Sequence, residues 1–235
     1  MKEKIKLITF DLDDTLWDNR PTIINAELFT RKWIEDKVGG VINWGDFNDF
    51  LSLRDDLIKK DESIAWDISK LRKEIFKIKL SHIKPEAFKN KIVDKAFKIF
   101  LSKRHEVSFF DGVEESIKEL SKRFTLGVLT NGNADIYKFH IGKYFKFSIS
   151  SLEAKESKPN KAHFELALNK MDAISFDNML HIGDHQVNDI YAAYALGIDC
   201  IWFNNNQKWQ QTFKKPEEFS DWKNLNKIIR EKYER

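Results

Sequence analysis

The chain has 235 residues, 42% of them apolar and 33% charged, with a formal net charge of +3. That is the make-up of a globular protein with room for one main core and a smaller second one. Interspersed Lys and Glu argue against a block-charged nucleic-acid arm, no run approaches the roughly 20 apolar residues of a membrane span, and the single cysteine, Cys200, excludes an internal disulfide. Cys200 lies in the run Cys200-Ile201-Trp202-Phe203 and reads as a buried structural thiol. The apolar run Leu7-Ile8-Thr9-Phe10 is too short for a signal-peptide core, so a cytoplasmic protein is expected; the oligomeric state is left open, a monomer slightly favoured.

In chain order, Ile5 to Phe10 is a short apolar run ending at acids, the pattern of a buried parallel strand. The stretch from about Arg20 to His105 then shows only helical spacing. Ile24, Leu28 and Ile34 are expected on one helix face. Ile64, Ile68, Leu71, Ile75 and Ile78 step 4-3-4-3, and Phe88, Ile92, Ala96 and Phe100 step by four, so a small helical bundle is predicted. Val113, Ile117 and Leu120 mark a further helix. Phe124 to Thr130 is a second strand, and Lys146 to Ser150, Met179 to Gly183 and Asp199 to Phe203 are three more. Phe164, Ala167, Leu168 and Met171 mark the helix between two of them. Strands alternating with helices imply a Rossmann-like α/β domain with a parallel sheet. Its expected extent is residues 1–19 and 106–235, with an all-helical domain at 20–105 inserted after the first strand.

Four constellations sit at predicted strand ends, where such sheets bind ligands. Asp11-Leu12-Asp13-Asp14-Thr15-Leu16 brings two carboxylates within reach of one ligand. One suits nucleophilic attack on phosphorus and the other proton transfer, although a solvated turn would look the same in isolation. Thr130-Asn131-Gly132-Asn133 offers a hydroxyl and backbone N–H groups to phosphate oxygens, or is an ordinary Asn-Gly turn. Lys158, in Ser157-Lys158-Pro159-Asn160, can offset the charge of a phosphoryl group and of Asp11. Gly183-Asp184-His185-Gln186-Val187-Asn188-Asp189 supplies carboxylates for an oxygen-rich Mg²⁺ site.

In this order the four resemble the motifs of the haloacid dehalogenase superfamily. The resemblance implies Asp11 as nucleophile, Asp13 as general acid/base, Thr130 as phosphate ligand and Lys158 as charge stabiliser. It implies Mg²⁺ held by the Asp11 side chain, the Asp13 carbonyl and Asp184, with Asp189 facing the metal or behind it and Asn188 in support. His185 stands where relatives often carry a small or acidic residue, so its role is open. The helical insertion resembles the superfamily's mobile cap, which implies a small-molecule phosphomonoester substrate rather than nucleic acid or membrane. The run Thr9 to Pro21, with Leu129-Thr130-Asn131-Gly132-Asn133 and Ser157-Lys158-Pro159, is similar to the YigB-type phosphatases. That points to FMN or 5-amino-6-(5-phospho-D-ribitylamino)uracil, with a nucleotidase or a broad sugar-phosphate phosphatase as the alternative. A phosphomutase and a non-catalytic phospho-ligand binder fit less well.

Candidate substrate-binding residues are Thr130, Asn131, Gly132, Lys158, Trp17 and Arg20; candidate metal ligands are Asp11, Asp13, Asp184 and Asp189. Trp17 could stack on a flat ring or lie in the core, and Arg20 could meet a phosphate or nearby acids. A zinc pair of His181 and His185 is disfavoured, because Gly183-Asp184 between them breaks a shared helix face.

Overall fold

Six short runs pair side by side into one parallel sheet: β1 (Leu7–Phe10), β2 (Thr125–Thr130), β3 (Phe147–Ser150), β4 (Met179–Gly183), β5 (Asp199–Phe203) and β6 (Glu217–Phe219). The computed structural model describes residues 5–234. Residues 1–4 and 235, which the sequence assigns to the α/β core, lie outside the described residues. Strand order is β3-β2-β1-β4-β5-β6. The chain builds outward on one side of β1 and then on the other, so β1 and β4 flank the point where the order reverses. Carboxyl ends of strands at such a point diverge into a crevice. Phe10 pairs in register with Val128 of β2 and with Ile182 of β4, so Asp11 lies one residue past that level and Thr130 and Asp184 two.

The chain divides into two compact units, residues 19–107 and residues 5–18 with 108–234. The first holds α1 (Asn19–Val38), α2 (Phe47–Lys60), α3 (Ile68–Lys79) and α4 (Glu86–Arg104). Asp46 and Asp49 form a reciprocal capping box that starts α2, and Asp67 caps α3. The core of this unit gathers Ile34, Ile42, Phe76, Leu80, Ile92, Val93 and Ala96, with Leu57, Ile64 and Leu71 in a smaller cluster. The buried line on α1 is Thr22, Ala26, Thr30 and Ile34, in steps of four. The expected face through Ile24 and Leu28 is therefore corrected: both are exposed. Small Ala26 and Thr30 side chains suit close approach of α4, the helix most extensively packed on α1. The run from Ile64 to Ile78 is also not one helix. A 3₁₀ turn at Glu62–Ala65 ends before the Asp67 cap, and Ile68 and Ile78 face solvent, as does Phe88 on α4.

In the second unit, α5 (Val113–Ser121) and α9 (Leu225–Tyr233) pack together beside the sheet. Short α6 (Ser151–Ala154), α7 (Ala162–Asn169) and α8 (Ala192–Ala195) contribute to the other cluster. There, Phe164, Ala167, Ala192 and Ala193 pack on Leu7, Leu129, Ile149 and Met179. Phe10 stacks on Trp222, their ring centroids 6.1 Å apart, and Phe203 packs on the same indole. Strand β6 and helix α9 follow no apolar run long enough to be read from the sequence. Cys200 is half-buried rather than buried, because burial along β5 is complete only from Ile201 onward. No helix among the described residues is long and apolar enough to cross a membrane.

Candidate active site

The acidic segment after β1 is a tight turn. The Asp11 N–H still donates to Ile182 O of β4 at 2.9 Å, and Leu16 N–H then closes on Leu12 O at 2.8 Å. Asp14 takes φ +60°, a left-handed conformation that Asp tolerates better than most residues. Thr15 ties the turn to the end of β4: its hydroxyl accepts Asp184 N–H at 3.1 Å and lies 3.1 Å from Asp184 Oδ1 and 3.4 Å from Asp11 Oδ2. Two indoles brace the same region from below. Trp222 Nε1 donates to Thr15 O at 3.2 Å, and Trp202 Nε1 donates to Asp184 O at 2.7 Å.

Lys158 is fully enclosed, its side chain 1% exposed, and all three ammonium hydrogens have acceptors: Leu129 O at 2.6 Å, Asp11 Oδ1 at 2.8 Å and Asp189 Oδ1 at 2.6 Å. Its backbone is clamped by Asn131, which accepts Lys158 N–H on Oδ1 at 2.7 Å and donates from Nδ2 to Lys158 O at 2.9 Å. The Ser151 hydroxyl also donates to Asn131 Oδ1, at 3.0 Å. The Asn131 side-chain amide is thus engaged with Lys158, while the residue itself lines the cavity. Gly132 N–H donates to Thr130 Oγ1 at 2.9 Å, so the Gly132 amide is likewise not free for phosphate. That bond leaves the Thr130 hydroxyl hydrogen for another acceptor.

Asp189 stands on a π-helical turn, Gln186–Tyr191, that runs into α8. His185 starts this turn: its Nδ1 accepts Val187 and Asn188 N–H at 3.1 and 3.0 Å, which gives that residue a capping role. Asp189 Oδ2 accepts His185 N–H at 3.0 Å, and Oδ1 receives both Lys158 and His181 Nε2, the latter at 3.3 Å. The approach requires glycine at position 183. A Cβ there would lie 2.4 Å from Asp189 Cγ, far inside van der Waals contact.

Charge is concentrated and enclosed. Burial pushes the Asp11 carboxyl up to about 7 against the pull of Lys158. Burial also raises Asp184 to about 8, with the charges of Asp189, Asp11 and Asp14 adding to it. Burial works against the Asp189 carboxylate too, but Lys158 and the His181 bond outweigh it and hold the group far below the usual range. Burial likewise opposes the Lys158 ammonium, and Asp11 with Asp189 more than compensates. Asp11, Asp184 and Asp189 each present an oxygen within 4.8 Å of the others.

A cavity of about 150 Å³ is lined by Asp11, Asp13, Asp14, Thr130, Asn131, Gly132, Lys158, Asp184, His185, Asn188 and Asp189. The four motifs therefore converge. Trp17 does not join them as a stacking surface, and that expectation is corrected. Its ring is fully buried, with Phe139 at 5.3 Å and Phe109 at 5.7 Å, a setting in which a large indole gains more from packing than from facing a cleft. Arg20 is exposed on α1 of the helical unit. Sequence reasoning missed Thr15, His181, Trp202 and Trp222. Thr15 follows the acids directly and was within reach of a capping argument; the others act only through partners distant in the chain.

Residues 5–197 match the haloacid dehalogenase-like hydrolase family, and the chain belongs to it. The crystal structure of a 2-haloacid dehalogenase from Pseudomonas syringae pv. tomato DC3000 is similar with a TM-score of 0.87 and 33% identity, over 97% of this chain and 99% of that one. The 5-amino-6-(5-phospho-D-ribitylamino)uracil phosphatase YigB of Escherichia coli is 27% identical over 200 residues, 85% of this chain and 83% of that protein. The phosphoglycolate phosphatase of Shigella boydii is 29% identical over 214 residues, 85% of this chain and 81% of its own.

Proposed function

We propose that this hydrolase is a Mg²⁺-dependent phosphatase of small phosphomonoesters that works through an aspartyl-phosphate on Asp11. The observation that carries this reading is the pairing of a buried, Lys158-bound Asp11 with a second carboxyl, Asp13, lining the same cavity. Asp11 attacks phosphorus and the bond to the leaving oxygen breaks; Asp13 gives that oxygen its proton. Asp13, now a carboxylate, takes a proton from water as the water oxygen attacks the aspartyl-phosphate, and Asp11 is regenerated with release of phosphate. The Thr130 hydroxyl and the charge of Lys158 stabilise the phosphoryl oxygens.

The donor set suits Mg²⁺: three hard carboxylates crowd together, and burial raises the Asp11 and Asp184 carboxyls, a cost that a bound cation would offset. Asp11, Asp184 and the Asp13 carbonyl would hold the ion. Asp189 already accepts from three protein donors and serves chiefly to hold Lys158. When bound, the ion would offset charge on the phosphoryl group.

The helical unit, in this reading, is a cap that closes over a small diffusible substrate. Similarity to YigB supports FMN or the ribitylaminouracil phosphate as substrate, with the heterocycle recognised by groups other than the buried Trp17. A nucleoside monophosphate or sugar phosphate is the alternative. A second reading, dehalogenation, is favoured by the similarity to the Pseudomonas 2-haloacid dehalogenase, but it gives Asp13 no leaving oxygen to protonate.

The test is a panel of FMN, ribitylaminouracil phosphate, a pyrimidine monophosphate, phosphoglycolate, a hexose phosphate and 2-chloropropionate, each with Mg²⁺ and with EDTA. Phosphate release that needs Mg²⁺ supports the reading. Halide release without phosphate release from any ester would overturn it. A tenfold preference for a nucleotide or sugar phosphate over both flavin-pathway esters, about 1.4 kcal/mol in the transition state, would remove only the flavin assignment.

A further inference from the structure

We propose that His181 is a positioning residue for the hydrolytic reaction: its Nε2–H holds Asp189 in the orientation that grips Lys158, and the Thr9 hydroxyl locks the ring in that tautomer. His181 on β4 and Thr9 on β1 are direct partners in the parallel register, so their side chains share one face of the sheet. Thr9 Oγ1 lies 2.9 Å from His181 Nδ1, and His181 Nε2 lies 3.3 Å from Asp189 Oδ1. Both residues are fully enclosed, and the edge of Phe164 packs against the imidazole at 5.1 Å.

The tautomer follows from the partners. Asp189 is ionised and only accepts, so Nε2 carries the ring hydrogen. Nδ1 of the neutral ring is then an acceptor, and the Thr9 hydroxyl is its donor. Burial, with the Lys158 ammonium nearby, lowers the ring's affinity for a second proton, against the pull of the Asp189 carboxylate and of the Thr9 backbone. His181 and Gly183 alternate along β4 onto the same face, and the missing Cβ at 183 is what lets Asp189 fold back over the strand to reach the imidazole. From there the chain of contacts continues from Asp189 Oδ1 to Lys158 Nζ at 2.6 Å and to Asp11 Oδ1 at 2.8 Å. Thr9 and His181 do not themselves line the cavity, yet through Asp189 they set the far end of the network that aims the lysine at the nucleophile.

The kinetic arm of the test rests on the phosphatase reading; the spectroscopic arm does not. ¹⁵N-histidine NMR of the wild-type protein, with His181 assigned by its loss in His181→Gln, should show the Nε2–H tautomer. An Nδ1–H tautomer overturns the proposal, whatever the enzyme hydrolyses. With p-nitrophenyl phosphate and Mg²⁺, His181→Gln, whose amide N–H replaces Nε2–H, should stay within about threefold of wild-type kcat/KM. His181→Asn, which mimics only Nδ1, should lose about thirtyfold or more at a comparable melting temperature. Equal activity in the two variants overturns the proposal. Thr9→Val keeps shape and loses only the hydroxyl, so it serves if both histidine variants fold poorly. It should lose several-fold in kcat/KM, and unchanged turnover counts against the lock. A wild-type protein inactive on every ester would remove the phosphatase reading and leave the tautomer to decide this one.

Discussion

Asn131 grips Lys158 at both backbone groups, accepting its N–H at 2.7 Å and donating to its carbonyl at 2.9 Å. The two residues sit on loops after different strands, and the clamp is what converts a lysine on a connecting loop into a fixed part of the site. Asn131→Ala removes both bonds and leaves the Lys158 N–H and C=O without these partners. The expected result is a loss of kcat/KM of one to two orders of magnitude, with stability lower by about 1–3 kcal/mol. Asn131→Asp keeps the acceptor but not the donor and should fall between wild type and Asn131→Ala. Steady-state kinetics with thermal melts decide it; wild-type turnover in Asn131→Ala would show that the clamp is dispensable.

Asp11→Asn should abolish turnover, by at least a thousandfold, while keeping the fold, because an amide is nearly isosteric with a carboxylate and a far weaker nucleophile. A second effect separates the chemical role from the structural one. Burial raises the Asp11 carboxyl to about 7, so at pH 8, where the group is ionised, the folded state bears the cost of desolvating its carboxylate. In EDTA at that pH, Asp11→Asn should melt no lower than wild type. A clear destabilisation there would mean that the Lys158 ion pair outweighs desolvation.

The pH dependence of stability should carry the mark of the acidic cluster. Asp11 and Asp184 have folded values of about 7 and 8, raised from 3.8, so the folded state binds more protons than the unfolded one between those limits. Their contribution to stability is therefore lost as pH rises through 7 and 8. His163, lowered to about 4 by burial, and His181, also lowered, act in the opposite sense between their folded values and about 6.5. The two effects oppose each other below about pH 6.5, and only the carboxyl effect remains above it. The metal-free protein should thus lose stability from pH 6.5 to 8.5, and saturating Mg²⁺ should flatten the slope and release protons on binding. Melting curves across this range, with EDTA or Mg²⁺, test it; a metal-free protein that gains stability over the interval would refute the assignment.

Gly183→Ala introduces a Cβ 2.4 Å from Asp189 Cγ, and the neighbour is a carboxylate fixed by three donors rather than the free end of a flexible chain. Displacing Asp189 releases Lys158. Activity should drop by about a hundredfold, and stability by about 1–3 kcal/mol from overpacking. Asp189→Ala, which removes the carboxylate without any clash, should lose activity to a similar extent, whereas near-normal activity in Gly183→Ala itself would mean that Asp189 can move without consequence.

What the sequence determined by itself was local. Short apolar runs ending in Asp11, Thr130 and Asp184 identified three strands and the chemistry at their ends, because a buried parallel strand needs a continuous apolar stretch and a polar residue marks where it leaves the core. Strand order, and with it the convergence of Asp11, Thr130, Lys158 and Asp184 on one cavity, was decided only by tertiary pairing. The same holds for the uses of single residues. Nothing near Trp17 in the chain announces Phe109 and Phe139, which bury it. Asn131 reads as a turn residue until Lys158 arrives 27 positions later. His181 has no role that the sequence assigns until β1 brings Thr9 beside it. Side-chain hydrogen bonds act over about 3 Å and are indifferent to separation along the chain. The residue types were therefore legible before folding, and their partners were not.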